Sequence, residues 1–202
     1  MTALFTATED ALSSAVAGRL VKDFGGDRFV VTELANTGGS GWLKKRFPEF
    51  IGLSNRCPVL VLTDLDRKPC APAFAREWFR GVIQPDGLVF RIVVREIEAW
   101  VMADRRGFSE FSGVPESMVP RHTEGLDDPK QAMLNLIFRY SPGWMKREIV
   151  VDHGSGPKQG LGYNALMCRF VREGWNPQAA AMESQSLERT RQRISELAMT
   201  FR

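Results

Sequence analysis

The chain reads as an α/β protein, a parallel sheet flanked by helices and followed by a mostly helical C-terminal portion. Three observations predict this. Strand-like and helix-like runs alternate through the first half of the sequence. The strand-like runs are continuous in apolar residues, as in "VLVLT" and "LVFRIVV", which suits strands buried on both faces of a parallel sheet. Carboxylates stand just past several of those runs, where open α/β sheets hold their ligands.

The elements follow in order. Met1 to Ala7 is a short apolar strand, and Ala11 to Phe24 has helical spacing through Leu12, Ala15, Val16 and Leu20. Gly25 and Gly26 stop that helix. Arg28 to Leu34 is β-rich, and "NTGGSG" from Asn36 to Gly41 is a flexible turn. Trp42 to Ile51 reads as a short helix interrupted at Pro48. Pro58 to Thr63 is a strand, Pro72 to Arg80 a helix opened by proline, and Leu88 to Val94 a further strand. Arg95 to Asp104 looks helical.

Beyond it, Phe108 to Val119 and Thr123 to Pro129 read as loops. Helices are expected over Pro129 to Tyr140, Tyr163 to Glu173, Pro177 to Met182 and Leu187 to Phe201. "GSGPKQGLG" from Gly154 to Gly162 is too rich in glycine for regular structure. The expected division is an α/β core over residues 1–106 and a helical, loop-rich extension over 107–202 packed on it.

Composition excludes some classes. The chain has 202 residues, a hydrophobic fraction of 44% and a net charge of +3, which fit a globular core and leave nucleic acid as a permitted partner. It has no apolar stretch long enough for a transmembrane helix, so no membrane is expected. Met1 to Asp10 lacks the basic region of a secretory signal, and Cys57, Cys70 and Cys168 are scattered, which suggests reduced thiols in a cytoplasmic protein. No Cys/His pair has zinc-ligand spacing.

The chemistry-bearing residues are acids. "VLVLTDLDR" ends a buried strand in Asp64 and Asp66, and two residues at i and i+2 of an extended segment point the same way, toward one cation. Like charges at such an exit are costly without a neutralising ion, and an all-oxygen donor set suits Mg²⁺ or Mn²⁺. Glu9 follows the first strand, and Glu96 or Glu98 the fourth. Glu96 and Glu98 cannot share a helix face unless the segment is still extended there. Each acid has a plainer alternative: the D-x-D caps a turn, Glu9 complements a helix dipole, and Glu98 is a solvated helix charge.

The order strand, Glu, strand, D-x-D resembles the TOPRIM domain of topoisomerases, bacterial primases and OLD-family nucleases. Glu9 in "TATEDALSSAVAGRLV" and Asp64 and Asp66 in "VLVLTDLDR" carry the likeness. "REIEAWVMAD", "DDPK" and "GLGYNALMCRFVREGWNPQAAAMESQSLERTRQRI" are similar to an uncharacterised bacterial family near the OLD-type and RloB-like nucleases of phage defence.

The resemblance implies metal-dependent hydrolysis of phosphodiesters, with DNA the expected nucleic acid and a defence or toxin effector the expected setting. Asp64 and Asp66 would be the main metal ligands, Glu9 a ligand or general base, and Glu98 a further ligand. Lys158 in the glycine-rich stretch is the candidate cation for transition-state charge, with a mobile surface lysine as its alternative. The resemblance also implies a second reading, a binding subunit beside an ATPase partner, since the chain has no P-loop of its own. A third is a phosphatase or phosphotransferase with Asp64 as nucleophile. Arg67, the basic run Lys44, Lys45 and Arg46, and His153 are weaker candidates for phosphate or proton contacts, and the five tryptophans read as core.

Overall fold

The computed structural model describes residues 1–34, 38–152, 154 and 156–200. In chain order these form β1 (Thr2–Ala7), α1 (Ala11–Gly25), β2 (Phe29–Glu33), α2 (Gly39–Ser54), β3 (Val59–Asp64), α3 (Ala71–Phe79) and β4 (Leu88–Val93). There follow α4 (Ile97–Ala103), α5 (Arg105–Ser112), α6 (Pro129–Tyr140), α7 (Gly143–Ile149), β5 (Val150–Asp152), β6 (Pro157–Gln159), α8 (Tyr163–Glu173), α9 (Pro177–Glu183) and α10 (Gln185–Thr200). They fall into two compact units, Met1–Val94 with the chain from Ser186 onward, and Arg95–Gln185. The first unit thus ends before the expected residue 106 and takes back the last helix. No helix among the described residues is long and apolar enough to cross a membrane.

The first unit is an α/β fold around a four-stranded parallel sheet of order β2-β1-β3-β4. From β1 the chain steps outward to β2, then crosses back over β1 to β3. The direction of winding reverses between β1 and β3, which makes their carboxyl ends the topological switch point of the sheet. Val59, Leu60, Val61 and Leu62 are at most 1% exposed, which is why this strand reads as an unbroken apolar run.

One sheet face carries α2 and α3, whose Leu43, Phe47, Phe50, Phe74 and Trp78 pack on Val59, Val61, Leu88 and Phe90. The Phe47 ring meets Trp78, Phe79 and Phe90 at centroid distances of 5.1, 5.0 and 5.0 Å, edge-on in each case. Arg91, on the opposite face of β4 from Phe90, donates from Nε to Thr190 Oγ1 of α10 at 3.4 Å. Ser195 of α10 in turn donates to the Phe24 carbonyl of α1 at 3.5 Å, so α1 and α10 share the other face. These contacts are why the final helix belongs with the sheet.

The expected break at Pro48 does not occur, because α2 runs through it. Pro48 is exposed, so the carbonyl it leaves without an N–H partner faces water, while Phe47 and Phe50 anchor both sides of it in the core.

In the second unit every residue of α4 is buried. Asp104, just past it, accepts from Gly107 N at 3.0 Å to cap α5 and from Asn176 N at 2.7 Å to hold the start of α9. The stretch expected to be loop over Phe108 to Val119 therefore begins inside a capped helix, α5, and α7 is a helix that the apolar spacing did not announce.

The glycine-rich stretch is also partly regular: Pro157–Gln159 pairs antiparallel with Val150–Asp152. Its glycines serve close approach, since a Cβ on Gly160 would stand 2.8 Å from the Glu148 carbonyl, and Gly160 N donates to Ile149 O at 2.7 Å.

Candidate active site

β1 and β3 lie side by side, with Phe5, Thr6 and Ala7 in register with Val59, Leu60 and Val61. The residues that leave both strands therefore meet at one end of the sheet. After Ala7 the chain needs a helix cap, and Asp10 supplies it: its Oδ1 accepts from Ser13 N at 2.8 Å. This removes the helix-terminus task from Glu9. The Glu9 carboxylate turns instead to the end of β3, where its Oε1 accepts from Thr63 Oγ1 at 2.5 Å and from Asp64 N at 3.0 Å. Two donors on one oxygen fix the carboxylate plane and leave Oε2 as the atom placed to exchange a proton.

Burial pushes the Glu9 carboxyl above its ordinary value. The bonds from Thr63 and Asp64 pull it part of the way back, and the negative fields of Asp66 and then Asp10 push it up again. Glu9 thus stands at the switch point with the Asp64 amide bonded to it and Asp66 near enough for its field to be felt, and these acids follow the two central strands.

The two aspartates are not presented as an extended pair. β3 ends at Asp64, opposite Val93 of β4, and Leu65 N still donates to the Val93 carbonyl at 2.9 Å. Leu65 is buried, and the chain then turns at Asp66, whose φ is +49°, with Lys68 N closing on Leu65 O at 3.0 Å. The period-two reading of D-x-D fails because the ladder stops one residue too soon. Asp66 reaches the group by a left-handed turn, a conformation in which aspartate is enriched.

The other candidates are placed elsewhere. Glu98 lies in the second unit at 3% exposure, on α4. Its Oε1 accepts from Tyr163 Oη at 2.7 Å and stands 3.7 Å from Lys130 Nζ, which also lies 5.2 Å from the centre of the Tyr163 ring. Burial raises the Glu98 carboxyl, while Lys130 and Tyr163 oppose that shift. It is thus not the solvated helix charge of the plainer alternative. Glu96 precedes α4 in extended conformation and accepts from Lys130 N at 2.9 Å, so both acids meet Lys130.

Lys158 is exposed on β6, in the second unit, and Arg67 is exposed beside Asp66. Arg46 pairs with Glu49 and Lys44 with Glu77 at 3.7 Å on the solvent side of α2. His153 and part of the expected turn from Asn36 lie outside the described residues. Trp78, Trp100 and Trp175 are core as expected, while Trp144 is 49% exposed.

Thr63 and Asp10 are the site residues that reading the sequence missed. The threonine directly before D-x-D was a signal in retrospect, since a hydroxyl at a strand end can orient a neighbouring acid.

No group of three or more His, Cys, Asp or Glu side chains among the described residues is arranged to hold a metal ion by itself. The acids at this end of the sheet, Glu9, Asp64 and Asp66, offer only carboxylate oxygens, the donor type of Mg²⁺ and Mn²⁺. No protein-family model, curated protein or solved structure matches this chain.

Proposed function

We propose that the chain is a metal-dependent phosphodiesterase acting on nucleic acid, a nuclease of the kind its resemblance to TOPRIM domains implies. One observation carries the reading: Glu9, leaving β1, accepts from Thr63 Oγ1 and the Asp64 amide at the end of the adjacent parallel strand β3, and is raised by burial with the field of Asp66 adding to it. Mg²⁺ takes one or two protein carboxylates and fills its remaining positions with water and substrate phosphate oxygens, so a set short of three preformed ligands fits it.

Asp64 and Asp66 would hold the ion. A bound Mg²⁺ or Mn²⁺ supplies a water that ionises more readily and neutralises charge on the phosphodiester oxygens. Glu9 Oε2 takes the proton of the attacking water, a task suited to a carboxyl held above its ordinary value. Thr63 and the Asp64 amide keep Glu9 in that orientation and hold its other oxygen out of the exchange. Glu98 is engaged by Tyr163 and Lys130, and this scheme does not require it.

The test pairs calorimetric Mg²⁺ and Mn²⁺ titration with cleavage of labelled DNA, comparing the native chain with Asp64→Ala and Asp66→Ala. The expected result is loss of both ion binding and cleavage in each variant with an unchanged circular dichroism spectrum. Cleavage that survives Asp64→Ala would remove the assignment.

A further inference from the structure

The outer edge of β4 carries a second feature of the first unit. A groove of about 230 Å³ runs along it between α3 and α10, with Ala75, Phe79, Phe90 and Ile92 as an apolar floor and Arg91 and Arg189 as its charged wall. Arg91 occupies an inward-facing position on β4, in register with Leu62, where an apolar residue would pack without cost. Its described hydrogen bond is to the neutral Thr190 hydroxyl, not to a carboxylate.

Arg189 and Arg193 stand four residues apart on one face of α10, next to the buried face on which Thr190 meets Arg91. Burial lowers the proton affinity of Arg91, and the like charges of Arg189 and then Arg193 add to that effect. The field of Glu196 opposes that shift, and Glu196 is itself paired with Arg193 at 3.0 Å. Two guanidinium groups, Arg91 and Arg189, line the groove with no acid among its lining residues, an arrangement that an anion stabilises.

The shape narrows the anion. The groove is smaller than the roughly 300–1,000 Å³ of pockets that enclose a whole small ligand, so it suits one segment of a longer chain lying across it. A phosphate against planar guanidinium groups with its sugar on an apolar floor is such a segment, and Arg is the side chain suited to phosphate. The groove also reaches Val94, one residue past the Val93 that pairs with Asp64. Neighbouring strands lie about 4.8 Å apart, so the groove opens beside the acidic group.

We propose that the β4 edge groove is a nucleic-acid backbone site in which Arg91 and Arg189 hold a phosphate of a single strand leading to the Glu9–Asp64–Asp66 group. The proposal deepens the phosphodiesterase reading by naming how its substrate is held, but it is tested with hydrolysis switched off.

The experiment is fluorescence anisotropy of a labelled oligothymidylate with the full chain in EDTA, across a salt series. The variants are Arg189→Glu, at an exposed position of α10, and Arg91→Met, which keeps an apolar stem at that position. Native binding is expected to weaken with salt. Each variant should bind about tenfold or more weakly, and each lost phosphate contact should reduce the log–log salt slope by roughly 0.7. Loss of cleavage in Asp64→Ala with oligonucleotide binding intact would keep the groove and the catalytic group distinct. No oligonucleotide binding by the native chain would overturn the proposal. So would unchanged affinity and slope in Arg189→Glu, or equal affinity for a polyglutamate peptide.

Discussion

Glu9 allows stability and catalysis to be separated at one position. Glu9→Ala removes the acceptor of Thr63 Oγ1 and of Asp64 N, whereas Glu9→Gln keeps an oxygen at Oε1 and removes the charge. The Thr63 hydroxyl can rotate toward another acceptor, but the Asp64 amide is fixed at the end of β3 and cannot. One partly buried donor left without a partner costs about 1–3 kcal/mol. For a chain of this size 1 kcal/mol moves the melting temperature by roughly 2–4 °C, which places Glu9→Ala roughly 2–12 °C below Glu9→Gln.

The pH dependence supplies the second half of the test. The Glu9 carboxyl is raised from 4.5 in the folded chain, so the folded state prefers it protonated. Its contribution to stability is fully present below the unfolded value and is lost as pH rises through the folded value. Glu9→Gln has no such loss, so its melting temperature relative to the native chain should climb from acidic to neutral pH. Both variants should lose phosphodiesterase activity. The assay is thermal unfolding followed by circular dichroism at acidic and neutral pH, beside cleavage of labelled DNA. Equal melting of the two variants would refute the hydrogen-bond account. A pH-independent gap between Glu9→Gln and the native chain would refute the burial account, and an active Glu9→Gln would refute the role of the carboxylate as base.

Two further substitutions extend this reasoning. Asp66 adopts φ of +49°, so Asp66→Gly should fold at least as stably as the native chain, by up to about 1 kcal/mol in thermal unfolding, while losing Mn²⁺ binding in calorimetry. In the second unit, Tyr163→Phe leaves the buried Glu98 carboxylate without its 2.7 Å donor and should cost about 1.5–3 kcal/mol. Because the Tyr163 bond opposes the raised proton affinity of Glu98, that loss should be larger at neutral than at acidic pH, and a pH-independent melting difference would refute it.

The legibility of the fold followed from how each element is buried. Val59 to Leu62 face apolar neighbours on both sides of the sheet, so their sequence carries the strand directly. α7 was missed, as was β6. The β6 pairing depends on Gly160 closing against the Ile149 backbone, which is a contact and not a composition. Glu98 reads as an ordinary acid because Lys130 and Tyr163, which surround it, come from helices far along the chain.

The site was half legible for a related reason. Position in the strand–helix order marked Glu9 and Asp64, because an acid following a buried parallel strand is placed at a sheet end whichever strands become neighbours. What the residues could not give is the strand order. β1 lies against β3 and not only against β2, and that adjacency alone brings Glu9 to Thr63 and Asp64, more than fifty positions away. Asp66 joined the group for a reason opposite to the one expected: alternation along an extended strand would have aimed it with Asp64, but the strand had already ended and a left-handed turn brought it there. A turn at that point is costly for most residues and mild for aspartate, so the position constrains both backbone and charge. If the backbone alone accounted for it, glycine or asparagine would serve there equally well. Asp66→Asn keeps a residue suited to the turn and removes the charge, so in the proposed reading it should fold as the native chain does and lose Mn²⁺ binding in calorimetry, whereas retained binding would leave the turn as the whole reason for aspartate there.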